Sequence, residues 1–174
     1  LTLALNREWF DLQGLAMRPQ GWFAQAARDQ LGIDAGYWYA QGQPWSEDSP
    51  DSFAGVHNHN GVMTLLDEAS GFPQSIWDII DGFYTDETQN RFWCVFSNPR
   101  RRTGPFFECF HKFGYMWRQR SLDSRDVEGT DKAYLDAMVS EYGEDSSKVR
   151  VQVRGEFPLD DEAQFIPAEY VDAA

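Results

Sequence analysis

Val62-Met63-Thr64-Leu65-Leu66-Asp67-Glu68-Ala69-Ser70 sets five residues, four of them apolar, directly before two adjacent carboxylates. An apolar run this short, closed by the turn signals Gly71 and Pro73, predicts a buried strand of a parallel sheet. Side chains at the carboxyl end of such a strand emerge at the crevice where open α/β sheets bind ligands. Two carboxylates there are costly unless a cation or a water network receives their charge. A strand that simply surfaces at an acidic loop shows the same pattern, and the run alone does not separate the two.

The surrounding residues add ordered motifs. Phe72-Pro73 leads into a short helix predicted over 74–81, with Gly82 as its stop. A second apolar strand, predicted over 92–96, ends in Ser97-Asn98-Pro99, with Thr103-Gly104-Pro105-Phe106-Phe107 beyond it. Phe53-Ala54-Gly55-Val56-His57 lies upstream; Tyr142-Gly143-Glu144-Asp145-Ser146 and Val151-Gln152-Val153-Arg154-Gly155-Glu156-Phe157-Pro158 lie downstream. In this order and spacing the motifs resemble the ATPase domain of the large subunit of tailed-phage terminases, the motors that package DNA. The likeness runs from about residue 37 to the end and is thin before that.

The resemblance implies an α/β, P-loop NTPase-like fold, a parallel-rich sheet flanked by helices. It makes Asp67-Glu68 a Walker B pair, in which Asp67 holds Mg²⁺ through water and Glu68 orients and deprotonates the water that attacks ATP. Ser97 and Asn98 fall in the family's coupling motif, where a polar side chain senses the γ-phosphate and passes its loss to the following segment. Arg101 lies nearest the basic position of the family's Asn-Pro-x-Arg pattern, which would bring it to the nucleotide. His57 matches a short Gly-x-His strand before Walker B, a structural position or a polar contact near the nucleotide. Residues 1–120 would be part of the ATPase core, 121–158 a small lid, and 159–174 the start of a connection to a nuclease domain. Implied partners are double-stranded DNA, the portal protein, the small terminase subunit and sibling large subunits in a ring. The implied place of action is the procapsid portal in the host cytoplasm, without a membrane.

No Gly-x-x-x-x-Gly-Lys-Ser/Thr occurs in the 174 residues. That loop cradles the β- and γ-phosphates with backbone N–H groups and a Lys. In the resembled family it precedes the region matched here, and the nuclease carboxylates for metal-assisted cleavage would follow Ala174. The chain opens at Leu1 with an apolar run already under way. The expectation is the central and C-terminal part of an ATPase domain, inactive by itself, from a parent that is also an endonuclease. The alternative is a non-catalytic assembly module that keeps the fold without a phosphate loop. An unrelated helicase-type ATPase shares the acidic pair but leaves Ser97-Asn98-Pro99 and Gly155-Glu156-Phe157-Pro158 unexplained.

Composition is consistent with a folded core: aromatic residues make up 16% of the chain, above what disordered chains carry, despite a mean hydropathy of -0.56. A net charge of -13 argues against indiscriminate nucleic-acid coating. The charge is unevenly spread. Residues 61–90 hold six acids and no Lys or Arg, whereas 91–120 hold seven basic residues against Glu108. Such blocks on successive sheet elements suit a metal-phosphate site. The cluster Arg100-Arg101-Arg102 reads as DNA contact, as arginine finger or, as charge runs usually do, as a solvated face. Cys94 and Cys109 are too few for a disulfide framework and predict buried free thiols. No stretch is long and apolar enough to span a bilayer.

Along the rest of the chain, 1–5 suggests a strand with Asn6 as a cap. Trp9, Phe10, Leu12 and Met17 suggest a loosely amphipathic helix ending before Pro19. Residues 21–31 predict a helix capped by Gly32, its aromatic residues in the core. Residues 37–50 are aromatic and loop-like; a base-stacking platform would want interleaved cations, and there is no Lys or Arg between Arg28 and Arg91. His57 and His59, without Cys partners, make a weak metal site. Residues 130–142 predict a helix capped by Thr130, with Tyr134, Leu135, Met138, Val139 and Tyr142 as its buried stripe and Gly143 as its stop. The alternation of 149–154 predicts a half-exposed strand or extended segment.

Overall fold

Phe10-Asp11-Leu12-Gln13 places apolar side chains two apart, and the chain uses that period. In the computed structural model, which describes residues 8–35, 38–45, 61–85, 87 and 90–159, strands β1 (Phe10–Gln13) and β2 (Ala16–Pro19) form an antiparallel hairpin. The helix expected here is absent. Gly14 turns the chain at φ 59°, a left-handed conformation that glycine adopts without cost and that a helix interior excludes. Asp11 then faces Arg18 across the ladder, an opposite-charge pair that favours this register. Strand β3 (Ala40–Gln41) adds to β2.

Helix α1 (Gly21–Leu31) forms as expected, and Gly32 closes it at φ 67°. Phe23 meets Trp9, Phe10 and Trp22 at ring-centroid distances of 5.9, 5.5 and 6.0 Å. The cluster is only half covered. Trp22 remains 55% exposed, so the expectation that these aromatics lie in the core holds poorly. These elements belong to the first of two compact units, residues 1–49 and 50–174.

The second unit is built on β4 (Val62–Leu66) and β5 (Arg91–Val95), which pair in parallel with Leu66 opposite Val95. The parallel connection runs through a 3₁₀ turn (Ala69–Gly71) and helix α2 (Gln74–Gly82). Ile76, Trp77 and Ile80 face inward as the period predicts. Gly82 is not the stop; the helix includes it, and Phe83 caps the end. Trp93 of β5 contacts Trp77 and Trp117 at 5.3 Å each and stacks on Tyr84 at 5.6 Å, covering one face of the strand pair. The other face, expected to be buried, is open among the described residues: Met63, Leu65, Phe92 and Phe96 are each about 60% exposed. Two strands with aromatic cover on one side bury one face only.

Three expectations fail in the C-terminal part. Residues 149–154 form no strand; helix α5 (Ser147–Gln152) takes 149–152 and Val153 caps it, after α3 (Pro105–Glu108) and α4 (Lys132–Tyr142). Val149 and Val153, four apart, are both fully buried against Leu135 and Met138 of α4. The Ser146 hydroxyl caps α5 by accepting the Val149 N–H at 3.3 Å. Asp131, rather than Thr130, caps α4 by accepting the Tyr134 N–H at 3.1 Å; the Thr130 hydroxyl instead donates to the carbonyls of Ser124 and Val127. Leu135 and Met138 are buried as expected, whereas Tyr134 and Tyr142 are 63% and 43% exposed.

The motif Gly155-Glu156-Phe157-Pro158 ties this region together. Gly155 sits at φ 61°, where a Cβ would lie 2.6 Å from the Leu122 carbonyl oxygen. Glu156 pairs with Arg150 and Arg154 at 3.2 and 2.9 Å. Phe157 packs edge-on to Phe107 at 5.0 Å. A second ion-paired knot joins Arg125 to Asp123 and Glu144 at 2.7 and 2.8 Å.

Candidate functional site

Parallel pairing of β4 and β5 brings both carboxyl ends to one edge. Asp67 and Glu68 therefore leave the sheet beside Ser97 and Asn98, the juxtaposition expected from the two apolar runs.

The ladder continues past the strands in an unusual way. The Phe96 N–H donates to the Leu66 carbonyl at 2.9 Å, and the Ala69 N–H donates to the Phe96 carbonyl at 3.0 Å. Asp67 and Glu68 thus form a two-residue excursion with both ends tied to Phe96. Beyond it, the Ser70 N–H donates to Ser97 Oγ at 3.1 Å. Ser97 Oγ lies 2.8 Å from Ser70 Oγ and reaches the Asn98 carbonyl at 3.1 Å. Ala69, at the root of the excursion, is fully buried.

Within the excursion, Asp67 Oδ1 accepts the N–H of Glu68 at 3.0 Å. Both carboxylates are exposed. Glu68 has φ 55° and ψ 39°, the left-handed region, and is the one non-glycine residue with positive φ among the described residues. Arg100 Nη2 stands 3.8 Å from Glu68 Oε2. The Arg100 N–H donates to the Asn98 carbonyl at 2.9 Å, closing a tight turn over the buried Pro99. Arg101, the arginine singled out from sequence, is exposed one residue further on. Arg102 donates to the Leu159 carbonyl. His57 and His59 lie outside the described residues.

The donor set sets limits on a cation. Among the described residues no group of three or more His, Cys, Asp or Glu is placed to hold a metal. Asp67 offers an exposed carboxylate with one oxygen engaged by the N–H of its neighbour. Mg²⁺ typically keeps several waters and takes one or two carboxylates plus substrate phosphates. The residues fit that mode of binding and not an all-protein cage. Both thiols are free, and burial pushes the Cys109 thiol up to about 11, which leaves it unreactive at neutral pH.

Ser70, Arg100 and the Phe96 clamp carry no local sequence signal that marks them as part of this edge. The clamp is made of backbone groups and leaves no side-chain signature. Arg100 was visible only as one member of a basic run.

A probable terminase large subunit of Enterobacteria phage P7 is 26% identical to this chain over 132 residues, covering 71% of the chain and 26% of that protein. The likeness is distant and terminase-like. The chain spans about a quarter of the length of the curated relative it matches. No family model matches, and no solved structure matches. No helix among the described residues is long and apolar enough to cross a membrane.

Proposed function

We propose that this chain carries the hydrolytic edge of an ATPase that drives double-stranded DNA into a viral procapsid, acting with a phosphate-binding loop supplied from outside these 174 residues. The carrying observation is the parallel register with Leu66 opposite Val95, which sets an acidic pair and a Ser-Asn pair at one sheet edge. The distant likeness to a probable phage terminase large subunit supports the DNA-packaging role.

In this proposal Asp67 would hold Mg²⁺ through water, and the ion would supply charge neutralisation at the ATP phosphates. Glu68 orients the attacking water and takes its proton, Ser97 and Asn98 respond to loss of phosphate, and Arg101 reaches toward nucleotide. The portal protein, the small terminase subunit and sibling large subunits are the proposed partners, at the portal in the host cytoplasm. A nuclease activity belongs to the same proposed parent. A non-catalytic assembly module is the second reading, favoured by the lack of a phosphate-loop motif in the 174 residues.

The test uses the full-length protein with its DNA and portal. Asp67→Ala weakens both nucleotide binding and turnover. Glu68→Gln keeps ATP affinity within a few-fold while turnover falls by roughly 10²–10⁴, the range for a positioned general base. Asn98→Ala retains part of the hydrolysis but moves less DNA per ATP. Hydrolysis by Glu68→Gln at the parental rate overturns the assignment of the base. No ATP binding by the full-length protein favours the assembly module.

A further inference from the structure

The excursion that carries Asp67 and Glu68 is held from β5 and the loop after it. L-residues persist in the left-handed region when the surrounding structure imposes it, and such outliers gather at functional sites. At Glu68 the imposing contacts are identifiable. Phe96 ties both ends of the excursion through its backbone, and the Ser70 and Ser97 hydroxyls, 2.8 Å apart, pin the segment just beyond. The carboxylate that leaves this bend is met by Arg100 at 3.8 Å. Arg100 is itself fixed by the turn whose Asn98 carbonyl accepts both the Arg100 N–H and the Ser97 hydroxyl.

We propose that Ser70 and Arg100 are positioning residues for the Glu68 carboxylate: Ser70 holds the bend from which it projects, and Arg100 fixes the direction of the side chain. The assignment rests on Glu68 acting as the base. Both partners of the Glu68 and Arg100 pair are 62% exposed, so it contributes little to stability. Its effect is directional. Because both contacts originate in the loop after β5, a displacement of the Asn98 turn carries the Glu68 carboxylate with it. Ser97 and Asn98 then have a covalent and hydrogen-bonded route to the attacking water.

The test measures kcat and KM for ATP in the full-length protein, with melting temperatures as a folding control. Arg100→Ala is expected to lower kcat about tenfold with KM within about twofold, the pattern of a lost orientation effect. Arg100→Lys, which keeps a cation on the same turn, recovers most of that loss. Ser70→Ala lowers kcat in the same way, and Ser70→Thr, which keeps the hydroxyl, recovers it. In a Glu68→Gln background neither alanine variant has a further effect, because coupled residues are not additive. If Glu68→Gln abolishes turnover while Arg100→Ala and Ser70→Ala keep the parental kcat, the positioning inference alone is overturned. Additive losses, or a lysine variant no better than alanine, overturn it too. Parental turnover by Glu68→Gln removes the ATPase reading and the inference with it.

Discussion

Glu68 owes its left-handed backbone to its neighbours. Nothing in a glutamate favours φ 55°; the Cβ of an L-residue makes that region cost about 1–2 kcal/mol, and glycine avoids the penalty. Glu68→Gly and Glu68→Ala both delete the carboxylate, so the difference between them isolates the backbone. The glycine variant is expected to melt about 2–4 °C above the alanine variant. Equal melting temperatures would show that the bend carries no strain. The same scale explains why Arg100 and not Arg101 meets Glu68. The turn closed by the Arg100 N–H on the Asn98 carbonyl selects the side chain that points back across the edge. Three consecutive arginines carry no mark of which one that will be.

Among the elements, α5 and the loops around it depend on packing and ion pairs together. Val149 and Val153 seat the helix on α4, while Arg125 bridges Asp123 and Glu144 from the segment before α4 to the segment after it. Hydrogen bonding to the Arg125 guanidinium holds the Asp123 carboxyl below the usual carboxylate range. A carboxyl whose folded-state pKa is depressed stabilises the fold above its unfolded value, about 3.9, and loses that contribution as pH falls through the folded value. Asp123→Asn is therefore expected to lower the melting temperature at pH 7, and the gap to the parent should narrow as the pH is taken from 7 to 3. A gap independent of pH would show that the Asp123 charge is not used.

For the whole molecule, the edge of β4 and β5 presents the exposed Asp67 and Glu68 carboxylates, and no Gly-x-x-x-x-Gly-Lys-Ser/Thr occurs in the 174 residues. Asp67 would reach nucleotide only through Mg²⁺, and such a contact by itself is weak. Calorimetric titration of the 174-residue chain with Mg-ATP should show no binding tighter than about 1 mM, less than about 4 kcal/mol. Micromolar affinity would mean that another part of the chain replaces the cradle.

The two apolar strands, their polar ends and the inward face of α2 were legible in the sequence because their signals are local. Turn residues, short apolar runs and a 3.6-residue period act within a few positions. The hairpin at 10–19 is not legible in the sequence, because the apolar scatter of Trp9, Phe10, Leu12 and Met17 also fits a helix and Gly14 alone does not fix a turn. The alternation of 149–154 points to a strand, but Val149 and Val153 are also four apart on one helix face, and the buried surface of Leu135 and Met138 selects the helix. The bend at Glu68 and its contacts with Arg100 and across the Ser70 and Ser97 hydroxyls exist only once β4 and β5 are in register. They join groups about 30 residues apart in the chain, and no local pattern encodes such a distance.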